Sequence, residues 1–291
     1  MRIAYLDCFS GISGNMVLGA LLDAGLELER LQAELAKLNL TGYQIVAREV
    51  RRRGLKGTYV EVEAEEQHVG RHLQDIEEII ESSALPLPVK EQSRSIFSRL
   101  ARAEAKVHGE PIDHVHFHEV GAVDAIVDVV GSCIGFWLMG VEKVYASYVH
   151  VGRGTIECAH GCIPLPAPAT AELLKGVPIY GRDIDSELVT PTGAAILTTM
   201  VAAYGGGPSM IVSQIGYGAG TRELPIANLL RISIGELVKA PDGQEHSHSH
   251  EHGHDHSHEH EHVHEHNHPH EHSHEHSHDH DHSQAHDSDD G

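Results

Sequence analysis

Residues 2–26 read RIAYLDCFSGISGNMVLGALLDAGL, and this stretch decides the fold class. RIAYLD is a short apolar run bounded by turn residues, the pattern of a buried strand. CFSGISGN is a glycine- and serine-rich loop, and MVLGALLDAGL has helical apolar spacing closed by Gly25. Strand, short loop and helix in succession point to a layered α/β architecture. The junction is also built like an anion-binding element, with Asp7 at the strand end and Ser10, Gly11, Ser13, Gly14 and Asn15 leading into a helix N-terminus. Unsatisfied N–H groups and the positive end of the helix dipole hold a phosphate there without a lysine. The stretch is neither a P-loop nor a GxGxxG fingerprint, and a capped loop without a ligand fits the same residues.

Moving outward, LERLQAELAKLNL continues as a second helix, and YQIVAREVRRR and TYVEVEAEE form a hairpin about GLKG. HLQDIEEIIESS and KEQSRSIFSRLARAEAKVHG are helical, the second strongly amphipathic. A second half opens at residue 112 and runs through VEKVYASYVHVGRGTIECAHGCIPLP, the helices PATAELLKG and TGAAILTTMVAAYG, and a closing pair, SMIVSQIGYGAG and ANLLRISIGE. The expected fold is α/β, a mixed sheet with flanking helices over residues 1–240, with room for a subdivision near residue 110.

Beyond Ala240-Pro241-Asp242-Gly243, histidine alternates with Glu, Asp and Ser to the end. This tract, residues 241–291, holds twenty of the 28 histidines and almost no aliphatic side chain, so it cannot offset chain entropy and is expected to be disordered. His246, His248, His250 and His252 begin a series of many weak sites for nickel, copper, zinc or cobalt. The formal charge of −22 is concentrated there. From Gln244 onward the tract carries thirteen acids and no base, which leaves thirty acids against 21 bases in the rest of the chain, a net of −9. No basic patch suits nucleic acid and no Lys/Arg-rich amphipathic face suits a membrane surface. No apolar run reaches the roughly 18 residues of a membrane span, and MRIAYLDC is not a secretory signal, so a cytoplasmic protein is expected. Four scattered cysteines do not make a disulfide framework.

The stretch IDHVHFHEVGAVDAIVDVVG, residues 112–131, places His114, His116 and His118 at every second position. If it is extended, the three imidazoles share one face, with Val115 and Phe117 opposite. Glu119 follows at the strand-to-helix junction, and Asp124 and Asp128 lie four apart on the next helix. A half-exposed strand with solvated histidines is the plain alternative. In ECAHGCIPLPAPAT, Cys158, His160 and Cys162 would likewise share a face of an extended segment, a soft N/S donor set. In DSELVTPTGAAIL, Thr190 or Thr192 can cap a helix, Pro191 presets its entry, Gly193 admits a ligand to the backbone, and Glu187 is a candidate base or ligand; an ordinary helix start reads the same way. GYGAGTRELP is either an anion clamp through Arg222 or a glycine-rich turn.

Taken in order, YLDCFSGISGNMVLGALLDAGL, HFHEVGAVDAIVDVVG, CAHGCIPLPAPAT, ELVTPTGAAIL and GYGAGTRELP, followed by a His-rich tract, closely resemble the nickel-insertion proteins of nickel-pincer nucleotide biosynthesis, the LarC family. The resemblance covers nearly all of residues 1–240. It implies a nickel chelatase or cyclometallase, a lyase that places Ni(II) into a pyridinium bisthiocarboxylate mononucleotide, forming two Ni–S bonds and one Ni–C bond. The product serves lactate racemase-type enzymes, whose apoenzyme is an expected partner. It also implies a CTP-linked reaction with Mg(II) or Mn(II), handled by a C-terminal family domain that members carry past the His tract and that this chain is expected to need from elsewhere. A homo-oligomer is expected.

On this reading His114, His116 and His118 form the transfer site, with Asp124, Cys158 and His160 as neighbours. Asp7, Glu119 or Glu187 is the base for the ring proton. The two helix N-termini and Arg222 take the phosphate. The rival readings are a nickel chaperone or store without catalysis, and a phosphohydrolase using Asp7, Asp124 and Asp128 as hard-metal ligands.

Overall fold

The apolar run at the N-terminus forms β1 (Arg2–Asp7), and its alternation separates two environments: Ala4 and Leu6 are fully buried, while Tyr5 and Asp7 on the other face are only half-buried. The computed structural model describes residues 1–64, 71–115, 117, 122–158 and 161–238, with the backbone alone at Cys158. β1 is followed by α1 (Gly14–Asp23) and α2 (Leu28–Leu35), then by a hairpin of β2 (Tyr43–Arg52) and β3 (Leu55–Ala64). Arg53 and Gly54, at φ 49° and 84°, make its two-residue turn, tighter than the four-residue GLKG connection expected.

Next come α3 (Leu73–Ser82), the long α4 (Leu87–His108), which ends at a left-handed Gly109, and α5 (Val123–Leu138). After β4 (Lys143–Ala146) the chain makes four short strands, β5 (Val149–His150), β6 (Thr155–Cys158), β7 (Gly161–Pro164) and, beyond α6 (Pro168–Leu173), β8 (Ile179–Tyr180). It closes with α7 (Pro191–Met200), β9 (Val201–Tyr204), β10 (Met210–Ala219) and β11 (Leu229–Leu237). The expectation of one helix through residue 205 is corrected here. Backbone ψ turns extended at Val201 and Val201–Tyr204 pairs with β4, helix passing straight into strand.

One seven-stranded mixed sheet, in the order β2-β3-β10-β11-β1-β4-β9, organises the described residues and takes strands from both sides of residue 110. β1, β4 and β9 run parallel, and β11 lies antiparallel between β1 and β10. Helix α1 packs against β10, β3 and β11 on one face, with α5 and α7 against α1. The glycines of GYGAG explain how close α1 comes. A Cβ on Gly216 would lie 2.0 Å from the Ala20 carbonyl oxygen, and one on Gly218 only 1.7 Å from that of Met16. The cluster is therefore neither clamp nor turn at these two positions: Gly216 and Gly218 are inside β10, where the missing side chains let the helix backbone touch the strand. The opposite face carries Tyr5, Asp7, Arg231, Ser233 and Tyr217, none of them fully buried. Among the described residues no helix is long and apolar enough to cross a membrane.

Candidate functional site

Three parallel strands end side by side at Asp7, Ala146 and Tyr204. Side chains and loops at the carboxyl ends of parallel strands form the usual ligand crevice of open α/β sheets. Here the ends enclose a cleft of about 640 Å³, lined by Asp7, Tyr148, Tyr180, Arg182, Gly205 and Gly206 among others. Asp7 faces Arg231 across the β1–β11 ladder and is ion-paired with it, while Arg231 also bonds Tyr217, its neighbour on β10. The Tyr5 hydroxyl donates to the Gly205 carbonyl at 2.8 Å, fixing the segment after β9 above the strand ends.

The inner wall is held by His150, only 2% exposed. Its Nε2 accepts the Arg182 N–H at 3.1 Å, so the ring proton sits on Nδ1, which donates to the Phe9 carbonyl at 3.0 Å. Burial lowers its pKa, and with both ring nitrogens engaged it stands as a neutral imidazole. His150 stacks on Tyr180 with centroids 4.8 Å apart and planes 4° from parallel, and the Arg182 guanidinium lies 5.3 Å from the centre of the same ring. Imidazole, phenol and guanidinium thus form a layered stack ending in a cation at the cleft lip.

The loop after β1 and the loop before α7 interlock. Ile12 donates to the Leu188 carbonyl at 2.9 Å and Thr190 to the Ile12 carbonyl at 3.2 Å. Gly11, at φ 81°, lies so near Leu188 that a Cβ would stand 1.9 Å from its carbonyl oxygen, and one on Gly193 would be 2.3 Å from that of Ile12. Ser10, Gly11, Ser13, Gly14, Glu187, Thr190 and Gly193 are in this way brought to one place. Their backbone donors are largely engaged: Gly11 bonds Cys8, Ile12 bonds Leu188, and the Gly193 N–H is capped by the Thr190 hydroxyl at 3.1 Å. At the head of α1, Ser13 donates to Asn15 at 2.6 Å and the Asn15 N–H bonds the buried Asp128 carboxyl. Burial raises the Asp128 pKa well above the ordinary carboxylate range, Asp124 one turn away adds to this, and the Asn15 bond opposes it. Thr192 is half-buried in the first turn of α7. Arg222 donates to the Ser186 hydroxyl at 3.1 Å, next to Glu187.

The histidine segment does not form the continuous strand expected. Ile112–His114 is a 3₁₀ turn following Pro111, with His114 exposed. Val115 and Phe117 are both buried, as alternation requires of one face, and Phe117 pairs with Arg71. His72 brings a further imidazole here, its Nδ1 3.2 Å from the Val115 carbonyl oxygen. His116, His118 and Glu119 lie outside the described residues, as do His160 and the tail with His246, His248, His250 and His252. Asp124 is exposed in the first turn of α5. Cys158 and Cys162 are not on one extended strand either: β6 and β7 are antiparallel, pairing Cys158 with Gly161 and Glu157 with Cys162. Among the described residues no group of three or more His, Cys, Asp or Glu is placed to hold a metal ion.

Reading the sequence missed Tyr148, His150, Tyr180 and Arg182. The usable signal, for Tyr148 and His150, was positional: SYVH follows a strand parallel to β1, where crevice residues are expected.

The family model for nickel insertion proteins matches residues 4–267. The chain belongs to the nickel insertion protein family. Two relatives from Desulfitobacterium hafniense, strains DCB-2 and Y51, are each named pyridinium-3,5-bisthiocarboxylic acid mononucleotide nickel insertion protein. Each is 57% identical over 245 residues, 84% of this chain and 61% of the relative. A relative from Geotalea daltonii that carries only the family description is 48% identical over 239 residues, 81% of this chain and 61% of its own. The chain thus spans about three fifths of the length of these family members. No solved structure matches it.

Proposed function

We propose that this chain is the nickel-handling part of a system that inserts Ni(II) into pyridinium-3,5-bisthiocarboxylic acid mononucleotide, the nickel-pincer cofactor pathway step carried out by a chelatase or cyclometallase. The observation that carries this is 57% identity, over 84% of the chain, to proteins named for that reaction.

Nickel is the cargo. It has to be held by donors weak enough to surrender it to sulfur, and neutral imidazoles serve better than a closed thiolate cage. His114, His116 and His118 are assigned the transfer, with Asp124, Cys158 and His160 as further candidate donors and the tail histidines as the reservoir. When the Ni–C bond forms, the ring carbon gives its C–H electron pair to nickel and the proton leaves to a base, for which Asp7, Glu119 and Glu187 are the candidates. Asp7 lines the cleft and Glu187 stands beside the interlocked loops. Ser10 to Asn15, Thr190, Thr192, Gly193 and Arg222 shape that junction. A phosphate at the head of α1 would have to displace the Asp128 carboxyl from the Asn15 N–H.

The chain has no GxxxxGK[ST] motif. From the family resemblance we assign CTP with Mg(II) or Mn(II) to a C-terminal family domain, for which the length of the relatives beyond their match to this chain leaves room. A lactate racemase-type apoenzyme is the proposed recipient, and a homo-oligomer the proposed working form. The test is to mix the protein, Ni(II), CTP and the bisthiocarboxylate mononucleotide, with and without a separately supplied C-terminal domain, and to look for the mass of the nickelated product. Replacing His114, His116 and His118 together should abolish that mass while bulk nickel binding by the tail persists. Undiminished product in that variant refutes the transfer assignment.

A further inference from the structure

The cleft at the ends of β1, β4 and β9 has a chemical character of its own. Its volume of about 640 Å³ lies within the range of small-molecule sites, several hundred cubic ångströms. On its lip Tyr148 is 57% exposed, one of the largest apolar surfaces left open in the described chain. The arginines at this end of the sheet differ in one respect. Arg231 is paired with Asp7, and Arg153 with Asp183 and Asp185, whereas Arg182 faces only the Tyr180 ring and no carboxylate of the described residues pairs with it. Its backbone is held by His150, so the cation is presented from a fixed point. Gly181, Gly205 and Gly206 line the same opening without side chains that would fill it. An open aromatic face, an uncompensated guanidinium and a glycine-lined floor together suit a ligand with a flat, electron-poor ring and an anionic group.

The geometry points to this cleft as the binding site for a pyridinium mononucleotide, with the Tyr148 ring against the cationic heterocycle and Arg182 on the phosphate. A positively charged ring is attracted to the face of a tyrosine, an attraction a neutral ring of the same shape lacks. A guanidinium pairs with phosphate through two parallel hydrogen bonds. The site is separate from the interlocked loops at the head of α1. The inference rests on the insertion reading only for the identity of the ligand.

The test uses the full chain without nickel and three probes: nicotinamide mononucleotide, nicotinamide riboside and reduced nicotinamide mononucleotide, whose ring carries no charge. By isothermal titration the mononucleotide should bind more tightly than either of the others. Tyr148→Ala should weaken it about 3- to 30-fold, the span of a cation–π contact, and Tyr148→Phe should restore it. Arg182→Ala should erase the advantage of mononucleotide over riboside. Both side chains are exposed, so the variants keep the fold, which circular dichroism verifies. Equal binding of oxidised and reduced mononucleotide, unchanged binding in both alanine variants, or no binding by the wild type overturns the assignment. Because nickel is absent, a wild-type protein that binds the probe as described but never nickelates its substrate supports the cleft and refutes the function. One that nickelates while Tyr148→Ala and Arg182→Ala bind normally does the reverse.

Discussion

Gly218→Ala tests the close approach of α1 to β10. The added methyl would sit 1.7 Å from the Met16 carbonyl oxygen, 2.6 Å from the Ala20 nitrogen and 2.7 Å from the Met16 carbonyl carbon. Ordinary contact begins near 3.4 Å, so α1 has to retreat by up to about 1.7 Å or β10 has to buckle. All three obstacles are backbone, and no side-chain rotation relieves them. Inserting a methyl into a tight core costs about 1–3 kcal/mol when side chains can adjust. With none to adjust, a loss of at least ~3 kcal/mol is expected, a large part of the ~5–15 kcal/mol that holds a domain together. In a body of this size that lowers Tm by roughly 6–12 °C. Gly206→Ala is the internal control, since a Cβ there meets nothing within 4 Å and its φ is not left-handed; it should stay within about 0.5 kcal/mol. Urea unfolding followed by circular dichroism, on a chain ending near residue 243 and on the full chain, gives both values. A Gly218→Ala loss below about 1 kcal/mol, or equal losses for the two variants, would show that α1 does not rest on β10 in this way.

Three other outcomes are expected. Burial pushes the Cys133 thiol up to about 12 and the Cys8 thiol higher still, so iodoacetamide at pH 8 should label the exposed Cys162 in the native protein and reach Cys8 and Cys133 only in denaturant; peptide mass mapping reads this, and rapid native labelling of Cys8 would contradict its place under the strand ends. Asp128, with its folded pKa raised, contributes stability that is complete below about pH 3.8 and is lost as pH rises through the folded value; Asp128→Asn should remove that decline and raise Tm at pH 7.5, and a lower Tm would mean that the ionised carboxylate is the stabilising form. Deleting residues 244–291 should leave nickel insertion intact at excess Ni(II) while abolishing bulk nickel binding, whereas loss of both would favour a storage protein.

Much of the architecture was legible because local chemistry and tertiary role coincide there. RIAYLD, its glycine–serine loop and the following helix appear as β1 and α1, and the two β-rich runs after residue 42 pair as a hairpin. Val201–Tyr204 was read as helix because nothing in TTMVAAYG breaks one; only the open edge of β4 makes it a strand. The alternations in HVHFH and CAHGC share the period of a strand, but Pro111 starts a 3₁₀ turn at one and an antiparallel pairing of Cys158 with Gly161 folds back the other. His150 shows why the cleft stayed hidden. Its two hydrogen-bond partners lie 141 and 32 residues away, at Phe9 and Arg182, and neither separation leaves a local pattern.

The order of the sheet sets a timetable for synthesis. β1 is clasped between Lys143–Ala146 and Leu229–Leu237, so during synthesis its second edge stays unpaired until residues 229–237 have emerged. Arg231, the partner of Asp7, arrives only with that strand, so the ion pair at the cleft is among the late contacts to form. A premature stop before Leu229 would leave one edge of β1 open and Asp7 without Arg231, so damage late in the chain is felt at residues 2–7.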